Sequence, residues 1–363
     1  MIKGTLKITI SLMMFILAVG GFAMDNHIVG AMFIALGTIM IPPFYNAIKH
    51  IVKKRSIIVF FMIITFITAL IITPSSESLP RKEETPLNDI TVNANKLDSE
   101  LKLSFIDVGQ GDCVLLACNG HYALYDTGYY DYRDKVIEYL KSQGIENLDY
   151  LIISHNDSDH IGSAATICDN FKINNLIIDT NIANINNITP FELLMKAKDN
   201  YDINLIEPVK DTIYPLGDST IKLLSPIREY DEINNNSICI LITHYDDTIL
   251  LTGDAESEAE ADLINAYGKD IDVDILKAGH HGSSSSNTES FLDITTPQAI
   301  IISCELNNDY GHPTQRVIND IRERKINCFR TDEQGTIECI SSGGGFSFNV
   351  EPSTTWTIGT YKE

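Results

Sequence analysis

His155-Asn156-Asp157-Ser158-Asp159-His160 sets two histidines and two carboxylates within six residues, directly behind the apolar run Leu148-Asp149-Tyr150-Leu151-Ile152-Ile153. Imidazole and carboxylate are the usual ligands of a catalytic divalent metal. In an extended loop, residues 155 and 157 project to one side, while 159 and 160 reach a second point. One short segment therefore offers ligands to two adjacent metal ions. A polar surface loop is the simpler reading. Four ligand-type side chains in six positions behind a buried strand weigh against it.

Outward from this segment, short β-rich runs alternate with helical stretches. The pattern predicts strands over 101–108, 113–117, 122–125, 150–154, 176–179, 221–224, 238–243, 248–252, 274–277 and 299–303, and helices over 133–143, 160–169, 190–199, 256–267 and 313–324. Some strands follow one another as hairpins and others alternate with helices, which points to two sheets with helices on their outer faces. Polar residues recur at strand ends: Asp126-Thr127-Gly128, His155, Thr252-Gly253-Asp254, Gly279-His280-His281-Gly282 and Tyr310-Gly311-His312-Pro313. Strand ends in layered α/β folds hold loops rigidly together and are where sites assemble.

Charge divides the 363 residues unevenly. Residues 1–82 carry eight Lys/Arg against two Asp/Glu, a net +6, and residues 83–363 carry nineteen against forty-seven, a net −28. So acidic a domain repels phosphate backbones and argues against a general nucleic-acid binder. The seven cysteines, an odd number without CxxC spacing, do not read as a disulfide framework or a zinc ribbon, and they suit a reducing setting.

Residues 6–24, 28–48 and 56–72 are apolar and nearly free of charge, the second interrupted by Pro42-Pro43. A membrane-spanning helix needs about 20 apolar residues, so the sequence predicts a three-span anchor over 1–72 and membrane as a partner. Lys49, Lys53, Lys54 and Arg55 stand between the second and third spans, while Asp25-Asn26-His27 lacks Lys and Arg. The positive-inside rule then puts the amino terminus in the cytoplasm and the acidic domain outside a multi-pass cell-membrane protein. Residues 73–100, with Pro74, Pro80 and Pro86, read as a linker to a domain over 101–350.

The strand-end motifs together resemble the metallo-β-lactamase-fold hydrolases, in the branch of the carboxy-terminal domain of ComEC-type competence proteins. They are Phe105-Ile106-Asp107-Val108-Gly109-Gln110-Gly111-Asp112, Tyr125-Asp126-Thr127-Gly128, Ser154 to Gly162, Asn234-Asn235-Asn236-Ser237, Leu250-Leu251-Thr252-Gly253-Asp254, Leu276-Lys277-Ala278-Gly279-His280-His281-Gly282-Ser283 and Tyr310-Gly311-His312-Pro313. The resemblance implies a four-layer αββα sandwich with two metal ions at one edge. It implies His155 and Asp157 on one ion, Asp159 and His160 on the second, Asp254 bridging, and His281, with His280 as the alternative, completing the second. Asp157 stands where many members carry histidine, and Asn234 or Asn235 stands near the place of a further histidine. Zn²⁺ is the first expectation for the two divalent ions and Mn²⁺ the second.

Two divalent ions roughly 3.5–4 Å apart activate water and clamp a phosphoryl oxygen. Asp159 or Asp254 is expected to accept the proton. His312 and the spare histidine of 280–281 are expected at the phosphate or the leaving oxygen, with Lys277, Ser283 and Asn234 as substrate contacts. Asp107 and Asp112 read first as turn-formers, His121 and His244 as surface or sheet residues, the tyrosines at 129–132 as a substrate lip or an ordinary loop, and Ser283–Ser286 as a loop without triad order. The function that follows is an anchored phosphodiesterase or nuclease-like enzyme. A hydrolase of a cell-envelope phosphodiester, such as a teichoic-acid phosphocholine ester, is the alternative, and a catalytically weak module in DNA uptake is the rival from another class.

Overall fold

In β1 (Leu101–Phe105), β2 (Val114–Cys118) and β3 (His121–Tyr125), buried side chains alternate between two faces. Leu103, Phe105, Leu116 and Tyr125 enter one apolar cluster, while Leu115 and Leu124 enter another. A strand buried on both faces has to lie between two layers. The computed structural model describes residues 99–181 and 187–359. The expected spans at 6–24, 28–48 and 56–72, and nearly all of the linker, lie outside the described residues. No helix among the described residues is long and apolar enough to cross a membrane.

The remaining strands are β4 (Asn147–Ile152), β5 (Lys172–Ile177), β6 (Asn204–Ile206), β7 (Ile213–Leu216), β8 (Ser219–Leu223), β9 (Ile240–His244), β10 (Asp247–Leu251), β11 (Ile275–Lys277), β12 (Ala299–Ile302), β13 (Asn327–Arg330), β14 (Ile337–Ser341) and β15 (Phe346–Phe348). The helices are α1 (Arg133–Ser142), α2 (Ser158–Ile161), α3 (Ala164–Asn170), α4 (Ile188–Asn200), α5 (Ser257–Tyr267), α6 (Glu289–Thr295), α7 (Gln315–Arg324) and α8 (Thr331–Gln334). One sheet runs β15-β14-β1-β2-β3-β4-β5-β6, the other β13-β12-β11-β10-β9-β8-β7. Each joins an antiparallel half to a parallel half: β3 to β6 in the first, β10 to β13 in the second.

Three clusters define the layers. Leu103, Phe105, Ile240, Ile249, Leu251 and Ile301 fill the space between the sheets. Val136, Leu140, Ile167 and Leu194 of α1, α3 and α4 cover the outer face of the first sheet. Ala259, Leu263, Phe291, Val317 and Ile321 of α5, α6 and α7 cover that of the second. At about 1.5–3 kcal/mol for each fully buried aliphatic or aromatic side chain, these three clusters are the main stabilising term. All seven cysteines are buried and unpaired, acting as small hydrophobes.

Two expectations need correction. The helix expected over 160–169 is two helices, α2 and α3, with Gly162 and Ser163 between them; a side chain at 162 would meet the Ser158 carbonyl and the Tyr130 backbone. The strands β6, β7, β13, β14 and β15 were not expected. All five lie at or next to sheet edges, where half-exposed residues blur the two-residue alternation.

Candidate metal centre

The parallel strands β4, β10, β11 and β12 all end toward the same edge of the sandwich. Tyr125 Oη donates to the Ile238 carbonyl at 2.9 Å, and Ile238 N–H donates to the Ser154 carbonyl at 2.8 Å, joining the two sheets there. Asp254 follows β10, with its N–H donating to Ser237 Oγ at 3.1 Å. His280 and His281 follow β11 in left-handed backbone conformation, φ 49° and 54°. Such a turn is costly for residues with a Cβ and is held by the surrounding contacts. It sends the two adjacent rings different ways: His281 is 1% exposed, His280 22%.

Ligand atoms of Asp159, His160, Asp254 and His281 lie within 4.8 Å of one another. His281 Nε2 stands 3.3 Å from Asp159 Oδ2 and 3.5 Å from Asp254 Oδ2. His160 Nε2 stands 3.3 Å from Asp254 Oδ1 and 3.9 Å from Asp159 Oδ2. Donors on a tetrahedral ion with bonds of about 2.0–2.1 Å are about 3.3–3.4 Å apart, so the four fit one divalent ion. The Nε2 atoms of His155, His160 and His281 and Oδ1 of Asp254 are buried without a hydrogen-bond partner. Orphaned buried atoms cost on the order of 1–3 kcal/mol each, a cost that a bound cation removes.

The opposite ring nitrogens are all anchored. His160 Nδ1 donates to Asp126 Oδ2 at 2.8 Å, and His281 Nδ1 donates to the Ser303 carbonyl at 2.9 Å. Ser154 Oγ gives its only proton to Asp126 Oδ2 at 2.7 Å, so it accepts from His155 Nδ1 at 3.0 Å. Each ring thus keeps a hydrogen at Nδ1 and turns Nε2 inward, where a cation that displaces the proton would find a lone pair, the arrangement that outer partners give metal-binding histidines.

Residues 106–304 match the description "Metallo-beta-lactamase superfamily". The chain belongs to this superfamily. Among curated relatives, ComE operon protein 3 of Bacillus subtilis (strain 168) is 31% identical over 275 residues, which are 70% of this chain and 35% of that protein. Competence protein ComA of Neisseria gonorrhoeae is 27% identical over 250 residues, 68% of this chain and 33% of that one. The chain spans about a third of the length of these relatives. A solved metallo-β-lactamase fold protein, YhfI from Bacillus subtilis, shows 15% identity over 56% of this chain and 86% of its own, with a TM-score of 0.40.

In this superfamily member the buried carboxylates and imidazoles of the centre shift one another. Burial alone would raise the Asp159 carboxyl, but His160 and His281 outweigh it and pull it to about 2. Asp254 is likewise buried yet held well below the carboxylate range by His281, His160 and His280. Burial would lower His281, but Asp254 and Asp159 lift it to about 9. Without metal, the centre therefore binds protons that a dication displaces.

The other side of the centre is sparser. His155 Nε2 lies 3.8 Å from Asp157 Oδ2, whose side chain is 29% exposed. Among the described residues, no third ligand-type side chain converges with this pair. Asn234 stands beside His280, its Nδ2 3.3 Å from Glu256 Oε1. Glu256 also accepts from His280 Nδ1 at 3.2 Å and from Ser285 Oγ at 3.0 Å. His280 Nε2 is thereby turned toward Asp254 Oδ2, 3.7 Å away. His312 is buried beside His280, the ring centroids 5.4 Å apart, and Tyr310 stacks on it. Burial, then the charges of His281 and His280, push His312 down to about 4, so it is neutral at pH 7.

The structure places one expected substrate contact elsewhere. Lys277 is wholly buried with its Nζ 2.5 Å from Asp112 Oδ2, so it does not reach a substrate phosphate. Ser283 is 7% exposed and bonded within its own loop to Ser285. Asp112 is correspondingly more than a turn-former, whereas Asp107 does shape the turn, accepting from Gly109 N–H at 3.2 Å and from Lys135 at 2.7 Å. His121 pairs with Asp149 at the surface, and His244 lies within β9. Sequence reasoning assigned no role to Asp126, Ser154 or Glu256. The position of Asp126 directly after an apolar strand was the signal for the first. The other two act only through histidines that folding brings to them.

Proposed function

We propose that residues 101–350 form a dinuclear metal-dependent hydrolase acting on phosphodiesters, and that Zn²⁺ or Mn²⁺ occupies the centre. The observation that carries this reading is the convergence of Asp159, His160, Asp254 and His281, with both histidine Nε2 atoms and Asp254 Oδ1 unpartnered. These four would hold the second ion, and the first ion would rest on His155 and Asp157, with Asp254 shared. Asp157 in place of an imidazole makes the set richer in hard oxygen donors, which suits metals that work on phosphoryl oxygens. When bound, divalent ions lower the pKa of water and polarise the phosphoryl group. Asp159 and Asp254 stay ionised and stand where the proton of attacking water would be received. His280, fixed by Glu256, and neutral His312 face the same mouth and are suited to hydrogen-bond the phosphate or the leaving oxygen.

The net charge of −28 over residues 83–363 favours a short phosphodiester over a long polyanion, which keeps a cell-envelope ester beside a nucleic-acid end as substrate. Residues 1–72 are proposed to anchor the domain outside the cell membrane. The purified full-length chain, loaded with Mn²⁺ or Zn²⁺, should bind two ions and hydrolyse bis-p-nitrophenyl phosphate. Fewer than one ion per chain, with no hydrolysis, overturns the reading and favours a weak binding module. A topology reporter fused after Glu363 should signal from outside, and a cytoplasmic signal overturns the orientation.

A further inference from the structure

We infer that Lys277 is a built-in counter-ion which, through Asp112, positions the histidines of the second metal; the inference rests on the dinuclear reading above. Lys277 ends β11, one of the central strands, and its side chain is 0% exposed, as is that of Asp112. Beyond the 2.5 Å ion pair between them, neither Lys277 Nζ nor either carboxylate oxygen of Asp112 has a hydrogen-bond partner. Asp112 Oδ1 lies 3.6 Å from His281 Nδ1, and Asp112 Oδ2 lies 4.0 Å from His160 Nδ1. The carboxylate therefore stands behind both imidazoles, on the side away from the ion.

Ligand atoms of Asp112, Asp126 and His160 also lie within 4.8 Å of one another, all buried. Such a group invites a cation of its own. The chain supplies one covalently, in the ammonium of Lys277. A buried ion pair is weak evidence for stability, since neutral pairs of similar volume often serve the fold as well or better. The location of this pair gives it another role. The Asp112 N–H donates to the Asp159 carbonyl at 3.2 Å, and the Asp112 carbonyl accepts from Gly128 N–H at 2.8 Å. Gly111, at φ 148°, permits that approach, because a side chain there would collide with the Asp159 carbonyl. Asp112 thus touches the surroundings of Asp159, His160 and His281, three of the four converging ligands. Its negative charge favours an inward lone pair on both rings, and Lys277 keeps that charge buried and fixed. Lys277 is a positioning residue, not a substrate contact.

The test is a cycle in the full-length chain of Lys277→Met, Asp112→Asn and the double variant. Each is read for melting temperature without metal, for Mn²⁺ affinity by electron paramagnetic resonance and for Zn²⁺ affinity by competition with a chromophoric chelator. Each single variant strands one buried charge and should melt lower than the parent. The double variant should recover most of that loss, yet bind the tighter ion about 10–100-fold more weakly, the usual cost of removing an outer partner of a metal ligand. Parental affinity in the folded double variant overturns the inference. A second neutral pair, Asp112→Asn with Lys277→Gln, guards against a packing defect. If neither neutral pair folds, the pair belongs to the fold and the inference is likewise overturned, as it is if the parent chain binds neither metal. Hydrolysis plays no part in these readouts. A metal-loaded parent without phosphodiesterase activity sinks the proposed function and leaves this inference standing.

Discussion

Two buried histidine networks occupy different parts of the same sandwich, and they differ in one respect. Around His244, every polar atom has a partner. Ser341 Oγ donates to Asp247 Oδ2 at 2.6 Å and so accepts from His244 Nδ1 at 2.6 Å, while His244 Nε2 receives a hydrogen bond from Ser99 Oγ at 3.2 Å. Gly343 N–H completes the Asp247 carboxylate at 3.0 Å. Around His160, the Nδ1 atoms are equally well held, but Nε2 of three histidines and Oδ1 of Asp254 are buried without a hydrogen-bond partner. A saturated network fixes the ends of β9 and β14. A network satisfied only on its outer side, with lone pairs converging inward, is built for a cation.

The comparison breaks most sharply at Asp254. Asp254→Ala should abolish binding of the second ion and lower kcat/KM on bis-p-nitrophenyl phosphate by about a thousandfold or more, roughly 4 kcal/mol of transition-state stabilisation. Wild-type turnover in that variant would remove Asp254 from the centre. His244→Ala should do the reverse. It leaves buried Ser99 and Ser341 short of partners, so chemical denaturation should show a loss of about 2–3 kcal/mol, with metal affinity unchanged. A matching fall in metal affinity would mean that the two networks are not independent.

Asp126→Asn sharpens the comparison within the metal centre. The amide keeps the shape but releases the charge that holds His160 Nδ1–H, and calorimetric titration should show metal affinity lowered about 10–100-fold. The smallest effect concerns pH. In metal-free protein the pKa of His281 is raised to about 9 from an unfolded value of 6.5. Its contribution to stability is therefore fully present below pH 6.5 and lost as pH rises through 9. Burial, with the His160 charge, lowers His155, which acts in the opposite sense but is spent once pH exceeds 6.5. The stability of chelated protein should fall by about 1–2 kcal/mol from His281 between pH 7 and 8.5. His160, which against burial Asp254 and Asp126 lift well above its ordinary value, adds a further loss in the same sense. Rising stability over that range would show that the carboxylates do not hold a proton on His281.

Much of this was legible before folding. The segments that became β1 to β5 and β8 to β12 announce themselves through apolar runs or apolar alternation, and His155, Asp157, Asp159 and His160 fall within six residues. The edge strands were not legible: Ile213 of β7 is 59% exposed, and Asn327 opens β13 facing solvent, so neither shows a clean alternation. Thr288, which caps α6 by accepting from Phe291 N–H, was a usable helix-start signal that went unread.

The sequence by itself determined the ligand types, the strand ends that carry them and the membership of the metallo-β-lactamase superfamily, because these depend on local periodicity and on side-chain chemistry. Only the tertiary structure decided how they combine. It chose His281 over His280 for the inner position through two left-handed residues. It also turned Glu256 onto His280, and it took Lys277 from the expected substrate contacts and buried it against Asp112. Lys277 and Asp112 are more than 160 residues apart. Whether a lysine reaches solvent or is neutralised inside is set by what other strands bring beside it, and no local pattern encodes that.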